Sequence, residues 1–117
     1  AILFITHNLG LIAQMTERVL VMYLGRVVEE TDVDTLFYNA KHPYTQALLR
    51  SIPRLGPRDR NARLYSIRGV VPEPYETPPG CPFHPRCEQM RPGVCDQEEP
   101  PWVTIVTGHR VRCVLYE

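Results

Sequence analysis

The pattern of apolar positions in the first thirty residues changes from a continuous run to a helical period and then to a second apolar run that ends at a glycine turn. Residues 1–6 are apolar with β-branched members, which is typical of a strand buried on both faces of a parallel sheet. Asn8 can cap a helix over residues 9 to about 15. Residues 18–23 are predicted to form a strand and residues 27–30 its return, with a turn at Gly25 between them, so residues 18–30 are predicted to form a β-hairpin.

Two further helices are predicted after this hairpin. Asp32 or Asp34 can cap a short helix that ends near Phe37. A second helix begins near Pro43, because proline fits the first turn of a helix, and runs to about Ser51.

Proline dominates the second half of the chain. Nine of the 12 prolines lie between positions 72 and 101, where regular structure is therefore not expected. Residues 53–63 are predicted to be a basic linker, and residues 64–68 a short strand. A closing hairpin is predicted over residues 102–115, turning at Gly108.

Composition narrows the class of protein. The chain has 117 residues, about one domain, and balances 13 basic against 13 acidic residues. This balance gives no reason to expect nucleic acid as a partner. No apolar run approaches the roughly 18–20 residues of a spanning helix. The chain has neither an initiator Met nor a signal peptide, so it is expected to be a piece of a longer protein.

The first candidate for chemistry is His7, which directly follows the apolar run. In open α/β sheets the carboxyl ends of the strands are where ligands bind. An imidazole at that edge can donate to a phosphate oxygen or shuttle a proton. By itself the signal is weak, since a histidine at a strand end is more often structural or solvated.

The surrounding residues strengthen the functional interpretation. Ile-Thr-His-Asn-Leu-Gly at 5–10 resembles the H-loop of ABC transporter ATPase subunits, and the sequence at 18–30 resembles the hairpin that follows it. Asn8 stands where Asp is usual, and Thr31 where Gly is common. The resemblance implies ATP and Mg as cofactors of the parent protein. It also implies that His7 contacts the γ-phosphate, as a residue of both nucleotide binding and catalysis.

The other catalytic motifs of that family are absent from these 117 residues. The sequence contains no P-loop G-x-x-x-x-G-K-S/T, no LSGGQ-type signature and no strand-end Asp-Glu pair of the Walker B type. Without a phosphate cradle and a magnesium carboxylate, His7 has nothing to act on. The chain alone is therefore expected not to hydrolyse ATP.

A second motif narrows the family. Lys-His-Pro-Tyr-Thr-Gln-Ala-Leu-Leu at 41–49 resembles the segment that opens the C-terminal extension of dipeptide/oligopeptide-type importer ATPases, nickel importers included. The implied domains are residues 1–40, the end of the nucleotide-binding domain, and residues 41–117, the extension. The implied partners are membrane permease subunits and a second ATP-binding subunit, at the cytoplasmic face of the membrane.

Four cysteines, Cys81, Cys87, Cys95 and Cys113, are the second candidate for chemistry. Their spacing of x5, x7 and x17 leaves three accounts open. A disulfide framework needs an oxidising compartment. A zinc site accepts four thiolates, but its usual pairs are closer in sequence. An iron–sulfur cluster takes four thiolates at varied spacings.

The cysteine segments also resemble a family pattern. Gly-Cys-Pro-Phe-His-Pro-Arg-Cys at 80–87 and Gly-His-Arg-Val-x-Cys at 108–113 are similar to motifs of the extended importer ATPases. Members with this pattern bind a 4Fe-4S cluster, so the resemblance implies such a cluster on the four cysteines, with zinc as the alternative. A structural role is expected because a metal site supplies folding free energy, and redox sensing is a second hypothesis.

The predicted fold class is an α+β fragment. It combines the C-terminal end of an α/β P-loop-type nucleotide-binding domain with a small, irregular, proline-rich, cysteine-ligated extension. Two other classes stay open: a stand-alone metal-binding interaction module and a disulfide-stabilised secreted domain. If the chain is handled alone, the strand predicted at residues 1–6 exposes its edge, and self-association through it is expected.

Overall fold

The computed structural model describes residues 1–53 and 65–117. Within them one antiparallel sheet carries three short helices. The helices and strands are α1 (Leu9–Met15), β1 (Arg18–Tyr23), β2 (Arg26–Asp32), α2 (Val33–Asn39), α3 (Pro43–Ser51), β3 (Val103–Val106) and β4 (His109–Val111). Two 3₁₀ turns, His84–Arg86 and Val114–Tyr116, flank the second hairpin in sequence.

The sheet joins the two predicted hairpins through their second strands. Its strand order is β1-β2-β4-β3, and each neighbouring pair is antiparallel. The first hairpin turns at Leu24 and Gly25, which both have positive φ, as the tight turn between twisted strands requires. Glu29 pairs with Val111 and Glu30 with Arg110, so the end of the chain lies against the first hairpin.

The helices begin where the sequence predicts. Asn8 accepts a hydrogen bond from the backbone N–H of Leu11 at 3.2 Å, and Asp32 accepts one from that of Thr35 at 2.8 Å. Of the two caps considered for α2, Asp32 is therefore the correct one. His42 caps α3 directly before Pro43. The helix and hairpin predictions within residues 9–51 are confirmed.

The core lies where the first hairpin meets α2 and the first cysteine segment. It consists of Val19, Val21, Tyr23, Val28, Leu36, Cys81 and Phe83. Phe83 is only 2% exposed, and its ring lies 5.3 Å from the rings of both Tyr23 and Tyr44. The aromatic contacts fasten the proline-rich segment to the sheet and to α3.

The strand predicted at residues 1–6 is wrong for this structure. Those residues form no strand, and Ile2, Leu3 and Ile5 are more than 80% exposed. A strand needs a neighbour to satisfy its backbone N–H and C=O groups. Among the described residues no strand lies beside this segment, so its apolar pattern has no sheet to join.

The prediction for residues 53–68 falls partly outside the described residues, which leave out 54–64. Residues 65–68 form no strand. The Arg86 side chain bonds their backbone instead, since Nε donates to the Arg68 carbonyl at 3.0 Å and Nη2 to the Ile67 carbonyl at 3.3 Å. The closing hairpin is confirmed, with shorter strands than predicted because the chain enters a 3₁₀ turn at Val114.

The predicted division into residues 1–40 and 41–117 stays a prediction. Across it, β2 pairs with β4 in a single sheet. No helix in the described part of the chain is long and apolar enough to cross a membrane.

Candidate functional site

All four predicted cysteines line one cavity. Cys81, Cys95 and Cys113 are buried and Cys87 is half-buried, and none forms a disulfide. The other lining residues are His42, Pro43, Phe83, His84, Gln89, Pro100, Val114 and Leu115. Positions that span 33 residues of sequence, from 81 to 113, are thus brought to one place.

Tight backbone contacts bring the first three cysteines together. The Cys81 N–H donates to the Cys95 carbonyl at 2.9 Å, and the Cys87 N–H donates to the His84 carbonyl at 3.2 Å. Gly80 has a φ of 73°, and a Cβ there would lie 2.3 Å from the Cys95 carbonyl oxygen. Only glycine allows so close an approach. The fourth cysteine, Cys113, is carried in by β4.

Backbone N–H groups lie near the sulfur atoms. The Arg91 N–H donates to Cys95 Sγ at 3.3 Å. The amides of Phe83 and His84 act on Cys81, that of Gln89 on Cys87 and that of Leu115 on Cys113, each lowering the pKa of its thiol. Hydrogen bonds to sulfur favour the thiolate, which is the metal-binding form.

Burial has the larger and opposite effect on three of these thiols. Desolvation raises the pKa of Cys81 and Cys87, and it raises that of Cys113 to about 11. The neighbouring cysteines raise the same pKa values further, because several thiolates in one cavity repel each other. Without a cation these three thiols are therefore protonated at neutral pH. A positively charged group in the cavity would reverse this balance.

Four thiolates are the donor set of both structural zinc sites and iron–sulfur clusters. Tetrahedral zinc, at 2.3 Å from each sulfur, would need sulfurs only about 3.8 Å apart. Within residues 1–53 and 65–117 no three His, Cys, Asp or Glu side chains form a group that could hold a metal ion. In an iron–sulfur cluster each thiolate binds a different iron, so the sulfurs stand further apart around a larger centre. The four cysteines that line the cavity supply the number and type of ligands that such a cluster takes.

A buried carboxylate links this cavity to the first hairpin. Glu29 is fully buried on β2. Its Oε1 accepts from the backbone N–H of Lys41 at 2.7 Å and lies 2.8 Å from Nε2 of His109, and its Oε2 accepts from the backbone N–H of His42 at 3.0 Å. One side chain therefore joins β2, the start of α3 and β4, the strand that leads to Cys113.

Sequence reasoning did not identify Glu29 or His109 as a pair. They lie 80 residues apart, so no local pattern connects them. The available signal was charge complementarity: two acidic residues, 29 and 30, in one predicted hairpin and His109-Arg110 in the other. Arg110 does bond Glu30, with Nε donating to Oε2 at 2.5 Å.

The structure places His7 apart from the cysteine cavity. It lies two residues before α1, is exposed, and is not among the residues that line the cavity. Its predicted part in ATP hydrolysis stays a prediction. The cysteines and His7 are therefore two separate candidate features of the chain.

Comparison with known proteins gives the family. Residues 28–95 match the family described as "Oligopeptide/dipeptide transporter, C-terminal region". The match covers more than half of the chain, from β2 to the third cysteine. The chain therefore belongs to this family of transporter C-terminal regions.

Individual relatives extend the match to the rest of the chain. The oligopeptide transport ATP-binding protein AppD of Bacillus subtilis (strain 168) is 47% identical over 118 positions, covering 100% of this chain and 35% of that protein. The dipeptide transport ATP-binding protein DppF of Escherichia coli (strain K12) is 47% identical over 97 positions, covering 83% and 28%. A putative peptide import ATP-binding protein of Brucella ovis is 43% identical over 119 positions, covering 98% and 35%. The chain thus spans about a third of the length of these relatives.

Proposed function

We propose that this chain is the C-terminal part of the ATP-binding subunit of an ABC-type importer of peptides. The observation that carries the proposal is the 47% identity to an oligopeptide transport ATP-binding protein across the whole chain. In this proposal the parent binds ATP and Mg and dimerises with a second ATP-binding subunit. It drives membrane permease subunits from the cytoplasmic face. Nickel is the alternative cargo, while a stand-alone metal-binding module is not favoured.

The proposed role of His7 is to contact the γ-phosphate of ATP in the assembled parent. Its exposed position two residues before α1 supports this, because the side chain is accessible to a nucleotide held by another part of the parent. The 117 residues contain no P-loop, signature or Walker B motif. The chain by itself is therefore not catalytic, and His7 acts only on a nucleotide that the rest of the parent holds.

The test uses the importer assembled from the full-length subunit and its permease in proteoliposomes. His7→Ala is expected to lower ATP hydrolysis and peptide uptake by about 10²–10³-fold, the usual loss for one transition-state donor. ATP binding should stay within a few-fold of the unaltered subunit. Gln14→Ala, an exposed residue of the nearby α1, serves as the control. Hydrolysis at an unchanged rate in the His7 variant would refute the assignment.

We further propose that Cys81, Cys87, Cys95 and Cys113 hold a 4Fe-4S cluster. Their common cavity and the N–H groups at their sulfurs support this. When bound, such a cluster supplies a one-electron redox couple and four bonds that cross-link the chain. The chain's own residues provide the thiolates, exclude water through Phe83 and direct N–H groups at the sulfurs. A zinc ion on the same four cysteines is the alternative.

Cysteine substitution tests this second proposal. Cys113→Ser, in protein purified without oxygen, is expected to lower the iron content per chain severalfold and to reduce absorption near 400 nm. Gln97→Ala changes an exposed residue two positions from Cys95 and should leave both unchanged. Equal iron contents in the two variants would refute the ligand set.

Self-association through residues 1–6 is proposed for the isolated chain. Ile2, Leu3 and Ile5 expose more than 80% of their surface, which is unfavourable in water. The apparent mass in sedimentation should rise with concentration, and Leu3→Lys should lower it toward that of one chain. A single species of 13.5 kDa at every concentration would refute this.

A further inference from the structure

Two histidines line the cysteine cavity, and their hydrogen bonds fix opposite tautomers. His42 Nδ1 lies 3.1 Å from the backbone N–H of Tyr44, so it must accept. His84 Nδ1 lies 2.9 Å from the Cys81 carbonyl, so it must donate. In the neutral form of each ring, His42 therefore carries its proton on Nε2 and His84 carries its proton on Nδ1. Of these two side chains, only His42 can offer an N–H to a group in the cavity.

The Nε2 atom of His42 lacks a hydrogen bond. The residue is 1% exposed, and Nε2 has no partner among the described residues. The backbone carbonyl of Arg112 lies near the ring, but no hydrogen bond of normal geometry joins them. A buried N–H donor without a partner is unfavourable by about 1–3 kcal/mol. His42 itself lines the cavity of the four cysteines, which points to a partner for this N–H inside that cavity.

The His42 ring is held firmly in this position. Its backbone N–H donates to Glu29 Oε2 at 3.0 Å, and the adjacent Lys41 N–H donates to Glu29 Oε1 at 2.7 Å. Phe83 packs nearby, with the ring centroids 6.1 Å apart. Burial lowers the pKa of His42 to about 4, although Glu29 partly opposes this, so the ring is neutral at physiological pH.

We propose that His42 donates a hydrogen bond from Nε2 to a sulfur atom of the cluster held by the four cysteines, and that Glu29 positions it for this role. The inference rests on the cluster proposed above. An N–H directed at a cluster sulfur stabilises the additional negative charge of the reduced state. His42 thus adjusts the reduction potential of the cluster, and Glu29 connects the first hairpin to it through His42.

A pair of variants separates this role from the capping role of His42. His42→Asn keeps an acceptor at the position of Nδ1 for the Tyr44 N–H but removes the donor at Nε2. His42→Gln keeps an amide N–H at the distance of Nε2 but loses the cap. The readouts are the midpoint potential, from a reductive titration followed by visible absorption, and the thermal midpoint of the same anaerobic sample.

The two variants are expected to change different properties of the protein. His42→Asn should shift the midpoint potential to a more negative value with little change in thermal midpoint, and His42→Gln should lower the thermal midpoint with a smaller shift in potential. Equal potentials for His42→Asn and the unaltered protein would overturn the inference, and so would a Gln variant that shifts as far as the Asn variant. Iron and sulfide are assayed first. Their absence from the unaltered protein refutes the cluster and this inference with it, whereas a normal content with an unshifted potential refutes this inference alone.

Discussion

Replacing Glu29 by Ala tests the connection between the first hairpin and the cysteine cavity. The side chain is fully buried and accepts from three donors, the backbone N–H groups of Lys41 and His42 and Nε2 of His109. Each buried donor left without a partner costs about 1–3 kcal/mol. Water can reach the half-buried Lys41 and relieve part of this. A loss of about 3–5 kcal/mol is therefore expected, as for other broken buried pairs.

Glu29→Gln should cause a smaller loss of stability at the same site. Its amide retains one acceptor oxygen, which can serve Lys41 and His109, but turns an NH₂ group toward the His42 N–H. One hydrogen bond is lost, so about 1–3 kcal/mol is expected. The Gln variant also keeps the test valid if the Ala variant fails to fold, since a domain of this size has only about 5–15 kcal/mol of stability.

The assay is urea unfolding followed by circular dichroism, with Glu99→Ala as the control. Glu99 bonds Arg26 and Arg112 but is partly exposed, so its loss should cost no more than about 1 kcal/mol. Near the thermal midpoint the Glu29→Ala loss corresponds to roughly 10–20 °C. Equal destabilisation by Glu29→Ala and Glu99→Ala would refute the reasoning that the buried carboxylate joins the three elements.

Three further predictions concern the cavity. Gly80→Ala should destabilise the protein more than Gly93→Ala in the same urea assay. Both glycines have positive φ, but only at Gly80 would the new Cβ clash with backbone, the Cys95 carbonyl. Equal losses of stability would contradict this. Between about pH 6.5 and 4 the unfolded chain binds a proton at His42 that the folded chain does not. The free energy of unfolding should therefore decrease as the pH is lowered through this range, by up to about 1.4 kcal/mol per pH unit. His42→Asn should remove this pH dependence. In metal-free protein at pH 7.5 the thiolate fraction of Cys113 should be about 100-fold lower than that of a thiol with the ordinary pKa of 9.0. Alkylation of Cys113, followed by mass spectrometry, should be slower by a similar factor. A rate like that of a free thiol would contradict this.

The sequence predicted the elements whose causes are local. The hairpin around Gly25 and the helix starts at Asn8, Asp32 and Pro43 depend on turn and capping chemistry within a few residues. The strand at residues 1–6 failed because an apolar run becomes a strand only beside another strand. The apolar pattern shows that a segment is suited to burial, but it does not show whether a neighbouring strand is present to cover it.

The candidate site was predictable in its residues but not in its construction. The four cysteines were identified from their type and from family resemblance, and the structure brings all of them to one cavity. The Glu29–His109 contact and the unpartnered Nε2 of His42 depend on the β2–β4 pairing across 80 residues. Such long-range register is set by packing of the whole domain, which no single stretch of sequence encodes.

The most direct test of the central claim is the content of iron, inorganic sulfide and zinc in anaerobically purified protein, measured together with visible absorption. The account predicts a brown protein with about four irons and four sulfides per chain, the composition of a 4Fe-4S centre. A colourless protein with one zinc per chain, or with no metal at all, would contradict it.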